Sequence, residues 1–239
     1  MHRSATRLTR ILACAAVPVM LVVAGCSSDS AGDSKKDSSD SSASSPDAQK
    51  PATVAPAKYS KLPEPCKTIS AKTIEQLVPK TKVKSGTAGK STDIANRGSC
   101  SWNGLDDNGV KGSQYRWLDV SFLRYESESS LGISGEKRAE DSYAKEISKA
   151  KSVEGAKKVR SSPAGGLGEA ATAVGYDLEK TGEDFTYATV VARTGNVVIT
   201  LTYNGTGYAG AKSPSASDLM KDAVTASKEA VASVTAANK

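Results

Sequence analysis

The sequence predicts an α+β domain: an antiparallel sheet of about five or six strands, packed in two layers against two or three helices and tied by one disulfide. Three observations carry that prediction. Runs rich in β-branched and aromatic residues, with period-two alternation, recur between residues 99 and 204. Stretches opened by helix-capping residues lie before, between and after those runs. Cys66 and Cys100 are the only cysteines beyond residue 26.

The elements follow in order. In "SAKTIEQLV" (70–78), Ser70 precedes Ile74, Leu77 and Val78 at helical spacing, and Pro79 stops the helix. The polar stretch 80–98 reads as a loop, "SCSWNG" (99–104) as a strand and "LDDNGVKGS" (105–113) as a turn. "YRWLDVSFLRY" (115–125) is the clearest strand. Its Leu118, Val120 and Phe122 alternate with a second face carrying Tyr115, Trp117, Leu123 and Tyr125. Residues 134–150 suit an exposed helix, with Ser134 ahead of it, Glu136 near its start, and Lys149 and Lys151 near its end, where the helix dipole favours them.

Four strands then fit "KKVRSS", "EAATAVGYDL", "FTYATVVAR" and "NVVITLTYN", the last two joined by Thr194-Gly195 as a two-residue hairpin loop. The final helix has two credible starts, Ser213 with Pro214 just inside it, or Ser215 with Asp218 three residues later. Leu219, Ala223, Ala226, Ala230 and Val234 give it a narrow apolar face. The resulting order is α-ββ-α-ββββ-α.

Residues 1–25 read as an export signal. Arg3, Arg7 and Arg10 form a basic head, an apolar core runs from Ile11 to Val23, and small residues close it. The core is too short to span a bilayer, and without a twin-arginine pair the general secretion route is favoured. Val23-Ala24-Gly25-Cys26 resembles the lipobox of bacterial lipoproteins, which implies a diacylglycerol on the Cys26 thiol and cleavage just before it. Stable anchoring takes two acyl chains, which a diacylglycerol supplies. Residues 26–62 then read as a tether. Ten of the nineteen residues from 27 to 45 are serine, and a Pro/Ala-rich run follows, a composition that buries too little apolar surface to fold. Residues 63–239 fit one globular domain. The expected location is the outer face of the cytoplasmic membrane.

Composition narrows the function. Thirty-two basic side chains face 26 acidic ones, and loss of three leader arginines would reduce the excess to three. No basic patch with interleaved aromatics is present, so no nucleic-acid partner is expected. The single histidine is His2, inside the leader, which removes Ser-His and Cys-His catalysis from the mature chain. Ser142-Tyr143-Ala144-Lys145 has Ser-x-x-Lys spacing but lies in the solvated helix. "SGTAGKST" (85–92) is no phosphate loop, because Lys84 stands where the first glycine must be. Outside the cytoplasm thiols oxidise, and Cys66 with Cys100 reads as a disulfide in preference to a zinc pair or a reactive thiol. Neither a cofactor nor a metal is expected, and the chain reads as a non-enzyme.

One positive pattern remains. Strand 115–125 is apolar on both faces, and Phe185, Tyr187 and Val191 share one face of a later strand. A helix-covered core needs one face only, so the second is either covered or meets a ligand. Tyr115, Trp117, Tyr125 and Tyr187 are the candidate ligand-facing aromatics of a shallow groove.

"PEPCKTISAKTIEQLV", "GSCSW" and "GLGEAATAV…ATVVARTGNVVITLTYNG" together resemble the actinobacterial lipoprotein family called domain of unknown function 3558. The resemblance covers about residues 63–236. It implies a secreted lipoprotein of unassigned activity, and it carries over no catalytic residue. The second half is also distantly similar to the extracellular sensor domain of mycobacterial serine/threonine kinases. The expected function is a ligand- or partner-binding domain tethered through Cys26, with cell wall, lipid or an envelope protein as its partner. The alternatives are a structural or accessory envelope protein, and an enzyme.

Overall fold

The structure, a computed structural model, describes residues 53–239. The leader, Cys26 and the serine-rich part of the tether lie outside the described residues.

Seven strands form one antiparallel sheet: β1 (Thr87–Ala88), β2 (Arg97–Asp107), β3 (Ser113–Arg124), β4 (Lys157–Pro163), β5 (Ala170–Lys180), β6 (Glu183–Thr194) and β7 (Val197–Tyr208). Their spatial order is β1-β2-β3-β7-β6-β5-β4. The helices are α1 (Ala71–Leu77), α2 (Gly135–Lys151) and α3 (Ala216–Ala237). The α+β class and the Cys66–Cys100 disulfide are as the sequence predicts, and the bridged Cα atoms lie 5.1 Å apart. The extra strand is β1, two residues inside the expected loop 80–98.

Local signals explain the helices. Ser70 accepts from the amide of Thr73, and Ser134 from that of Lys137. Of the two starts for the final helix, Ser215 wins. It accepts from the Asp218 amide at 3.1 Å and donates to the Asp218 carboxylate at 2.7 Å. The turn expected at 105–113 starts later, at Asn108. Leu105 and Asp107 still pair with Tyr115 and Ser113, and Gly112 (φ +84) makes the corner because a side chain there would strike the Tyr208 carbonyl. The β6–β7 loop is Gly195-Asn196, one residue beyond the expected pair, since Thr194 still pairs with Val197.

Strand parity makes two unequal faces. On the first, Leu118, Val120, Phe122, Ile199, Leu201 and Val190 pack against Leu219, Ala223, Ala226, Ala230 and Val234 of α3, and against Ile74, Leu77 and Val78 around α1. Glu229 of α3 accepts from the Ser70 amide at 2.6 Å and from the Thr73 hydroxyl at 2.5 Å, fastening the two helices. Gly86 (φ +77) has no room for a side chain, because a Cβ would lie 2.4 Å from Cys100 Sγ and 2.6 Å from the Trp102 ring. On the second face α2 is the only helix among the described residues. It belongs to the crossover from β3 to β4, at the far edge of the sheet, and packs chiefly over β5, β6 and β7.

The chain joins the domain ahead of residue 63. Tyr59 is buried; its amide donates to Asn196 Oδ1 at 2.8 Å, and its carbonyl accepts from Asn196 Nδ2 at 2.9 Å. Among the described residues no helix is long and apolar enough to cross a membrane.

Candidate functional site

The Gly-Leu-Gly-Glu-Ala turn and the Gly-Asn hairpin are structural. Leu167 is in the core. Gly168 (φ +62) passes so close to the Arg193 carbonyl that a Cβ would lie 2.4 Å from it. The Glu169 carboxylate accepts from the Gly195 amide (3.0 Å), Arg193 Nη1 (2.7 Å) and Lys58 Nζ (3.1 Å). These bonds hold its pKa below the usual carboxylate value, against the opposing effect of burial. Together with Asn196, this cluster docks the entering segment on the β6–β7 hairpin.

Besides Asn96 Oδ1, in the loop before β2, a buried side-chain atom remains unsatisfied on the second face. Its aromatic residues separate into three settings. Tyr125 is taken up by α2: its hydroxyl donates to Ser142 Oγ at 2.8 Å, and the Arg138 guanidinium lies 5.7 Å from its ring centroid. Tyr187 is buried and stacked on Tyr176, with centroids 4.8 Å apart and planes 7° from parallel, and Lys180 Nζ donates to its hydroxyl at 2.5 Å. Burial pushes the Tyr176 phenol up to about 12. Tyr115 is half-buried, edge-on to Phe185 and Tyr208 at 6.1 and 6.4 Å. Trp117 alone has no aromatic neighbour, and its half-buried indole makes no hydrogen bond among the described residues.

Two residues the sequence reading passed over sit beside Trp117. Asp119, two residues along β3 on the same face, stands opposite Ser101 of β2 and Thr202 of β7. Its carboxylate makes no ion pair or side-chain hydrogen bond among the described residues. Burial alone raises its pKa from 3.8 to about 6. Asn204 of β7 stands directly opposite Trp117 on one side and Tyr187 on the other. It is 1% exposed, and its Nδ2 has no acceptor. An orphaned buried amide and an unpaired, partly desolvated carboxylate are each costly, and here they are diagonal neighbours on one sheet face. Hydroxyls of Ser101, Ser121, Thr200 and Thr202 complete the surface.

The strip is open. One cleft of about 170 Å³ reaches the strip at Ser121, beside Ser99 and Lys90; another, of about 150 Å³, holds Arg97, Arg124 and Arg138, but Asp93 and Glu126 line it too, and Glu126 pairs with Arg124. A larger groove of about 380 Å³ runs along Leu62, Pro65, Ala88 and Ile94 at the β1 edge. Among the described residues no group of three His, Cys, Asp or Glu side chains could hold a metal ion.

No curated protein matches the chain. Among solved structures it is similar to LpqN, described as involved in cell envelope biogenesis of Mycobacterium tuberculosis. Identity is 15%, over 60% of this chain and 82% of that one, with a TM-score of 0.29. The family model described as "Protein of unknown function (DUF3558)" matches residues 21–175, and the chain belongs to that family.

Proposed function

We propose that this chain is a non-enzymatic binding domain of the cell envelope, held to the outer face of the membrane through Cys26, and that its ligand docks on the strip around Trp117 and Asp119. The observation that carries the reading is the state of that strip: a half-buried indole, a carboxylate without a cation and a buried amide without an acceptor, side by side on one sheet face. Groups of this kind are stabilised when a ligand supplies what the fold does not.

The position of the strip suits a tethered receptor. The chain enters at Tyr59, where Arg124 Nη1 donates to the Tyr59 carbonyl. Trp117 lies seven residues back along β3, about 23 Å away at 3.3 Å per residue. Trp117 and Asp119 thus lie near the middle of β3, away from the point where the chain enters at Tyr59. The accessory-protein alternative explains the part of the second face that α2 fills, but not the part it leaves.

Tryptophan fluorescence tests the reading directly, because the chain has two tryptophans and Trp102 is buried, donating to the Lys84 carbonyl at 3.3 Å. Titration with cell-wall fragments, lipid vesicles and envelope proteins should shift the emission of the wild type and not that of Trp117→Phe. No shift with any of the three classes overturns it.

A further inference from the structure

Resting on that reading, we propose that the strip takes one ring of a neutral, polyhydroxylated saccharide, with Trp117 stacked on a C–H face, Asp119 accepting from one hydroxyl and Asn204 donating to another. The argument runs by elimination over ligand charge. An ammonium or guanidinium group would satisfy Asp119 and the indole face, but it would set its own donors against the N–H of Asn204. A phosphate or carboxylate would accept from Asn204 and meet the Asp119 charge. An acyl chain would gain little, because the strip is open and lined with hydroxyls. A hydroxyl is donor and acceptor at once, so a ring carrying several can satisfy both orphans without an uncompensated charge.

The sheet geometry agrees. Asp119 and Asn204 are diagonal cross-strand neighbours, with side chains on the order of 7–8 Å apart, a span that different hydroxyls of one ring can bridge. Asn204 Nδ2 is covered in the free protein. Asn204 stands directly opposite Trp117, so a ligand that reaches its amide also changes the Trp117 environment. Asp119 also sets a selectivity, since uronates and other acidic sugars would meet an unscreened carboxylate at neutral pH.

The test uses the soluble domain with its disulfide intact, at pH 7.5, against maltohexaose, chitohexaose, hexagalacturonate and hexalysine. Readouts are fluorescence and the NMR shifts of the Trp117 indole N–H and the Asn204 side-chain amide. At least one neutral hexasaccharide should move both resonances, with affinity falling at least tenfold (about 1.4 kcal/mol) in Trp117→Ala and in Asp119→Asn, and hexagalacturonate should leave them in place. Equal binding of hexagalacturonate, or saccharide shifts confined to other residues, overturns the assignment. If hexalysine alone moves the two resonances, the saccharide class is wrong while the binding strip stands. If no probe moves them, both fall.

Discussion

Asp119 is the residue on which the reading turns, and its protonation can be followed through stability. Its pKa is about 6 in the folded chain against an ordinary 3.8, a difference of about 3 kcal/mol at 1.36 kcal/mol per unit. The sign follows from proton counts. Between about pH 4 and pH 6 the native state holds a proton on Asp119 that the unfolded state has released, so this group makes stability fall as pH rises. Below the unfolded value both states are protonated and the effect vanishes; above pH 7 the full penalty is present. Asp119→Asn removes the charge and keeps the size. The variant should match the wild type near pH 4 and exceed it by up to about 3 kcal/mol at pH 8, a urea midpoint roughly 1 M higher for an m-value of about 2–3 kcal/mol/M. Glu169 and Asp107, whose pKa values are lowered, give stability that rises with pH in both proteins. They cancel in the difference between the two unfolding series, measured at pH 4, 5, 6, 7 and 8. Parallel curves for wild type and variant across that range would refute the reasoning, because the carboxylate would then be as well solvated in the fold as outside it.

Two further outcomes concern what holds the domain. The Cys66–Cys100 bridge spans 34 residues of sequence, so replacing both cysteines by serine should cost about 3–4 kcal/mol from loop-closure entropy, read as a lower denaturant midpoint with α1 and β1 losing hydrogen-exchange protection first. Asn196→Ala leaves the amide of Tyr59 and the carbonyl of Tyr125 without their partner, and the Tyr59 carbonyl with Arg124 Nη1 alone. It should cost about 2–4 kcal/mol and expose residues 55–61 to proteolysis, and an unchanged cleavage pattern would remove Asn196 from its place as the clasp.

How much of this was legible depends on the range of the interaction involved. The capping serines Ser70, Ser134 and Ser215 act within three residues, and the sequence displays all of them. The alternation in β3 is equally local, and it divides Leu118, Val120 and Phe122 from Tyr115 and Trp117 as the structure does. Composition places Tyr59 in a tether because its partner Asn196 lies 137 residues away, and no window along the chain sees that bond. The end of β2 was hidden by Asp106-Asp107-Asn108-Gly109, a turn-forming composition whose first half is held in the ladder by β3. The four aromatics share a pattern but not a fate, since α2 and its packing claim Tyr125 and stacking claims Tyr187. Asp119 went unmarked because counting apolar residues on a face passes over the polar one between them; a carboxylate in mid-strand, between Leu118 and Val120, was the available signal. Nothing local marks Asn204.

The opening on the second face follows from widths. Seven strands about 4.8 Å apart make a sheet roughly 29 Å across, and one helix with its side chains covers about 10–12 Å. With α2 packed chiefly over β5, β6 and β7, no helix among the described residues lies over most of the β2–β3 side. An incidentally bare strip, however, is satisfied by water and by charged side chains that reach solvent. This one holds an indole, a buried amide and a carboxylate half out of water. Register offers a way to separate incidental exposure from a site kept unsatisfied. Ser101 stands opposite Asp119 on β2, on the uncovered side, so Ser101→Lys places a cation across the strand pair without entering the core. If Asp119 lacks only a counter-charge, the new ammonium should draw its pKa back toward the ordinary carboxylate range, flatten the fall in stability between pH 4 and 6, and stabilise the domain at pH 8 by about 1 kcal/mol or more. The same substitution should abolish the Trp117 fluorescence response, because the carboxylate is then occupied. A variant that gains the stability and keeps the full response would show that Asp119 belongs to the fold and not to the ligand.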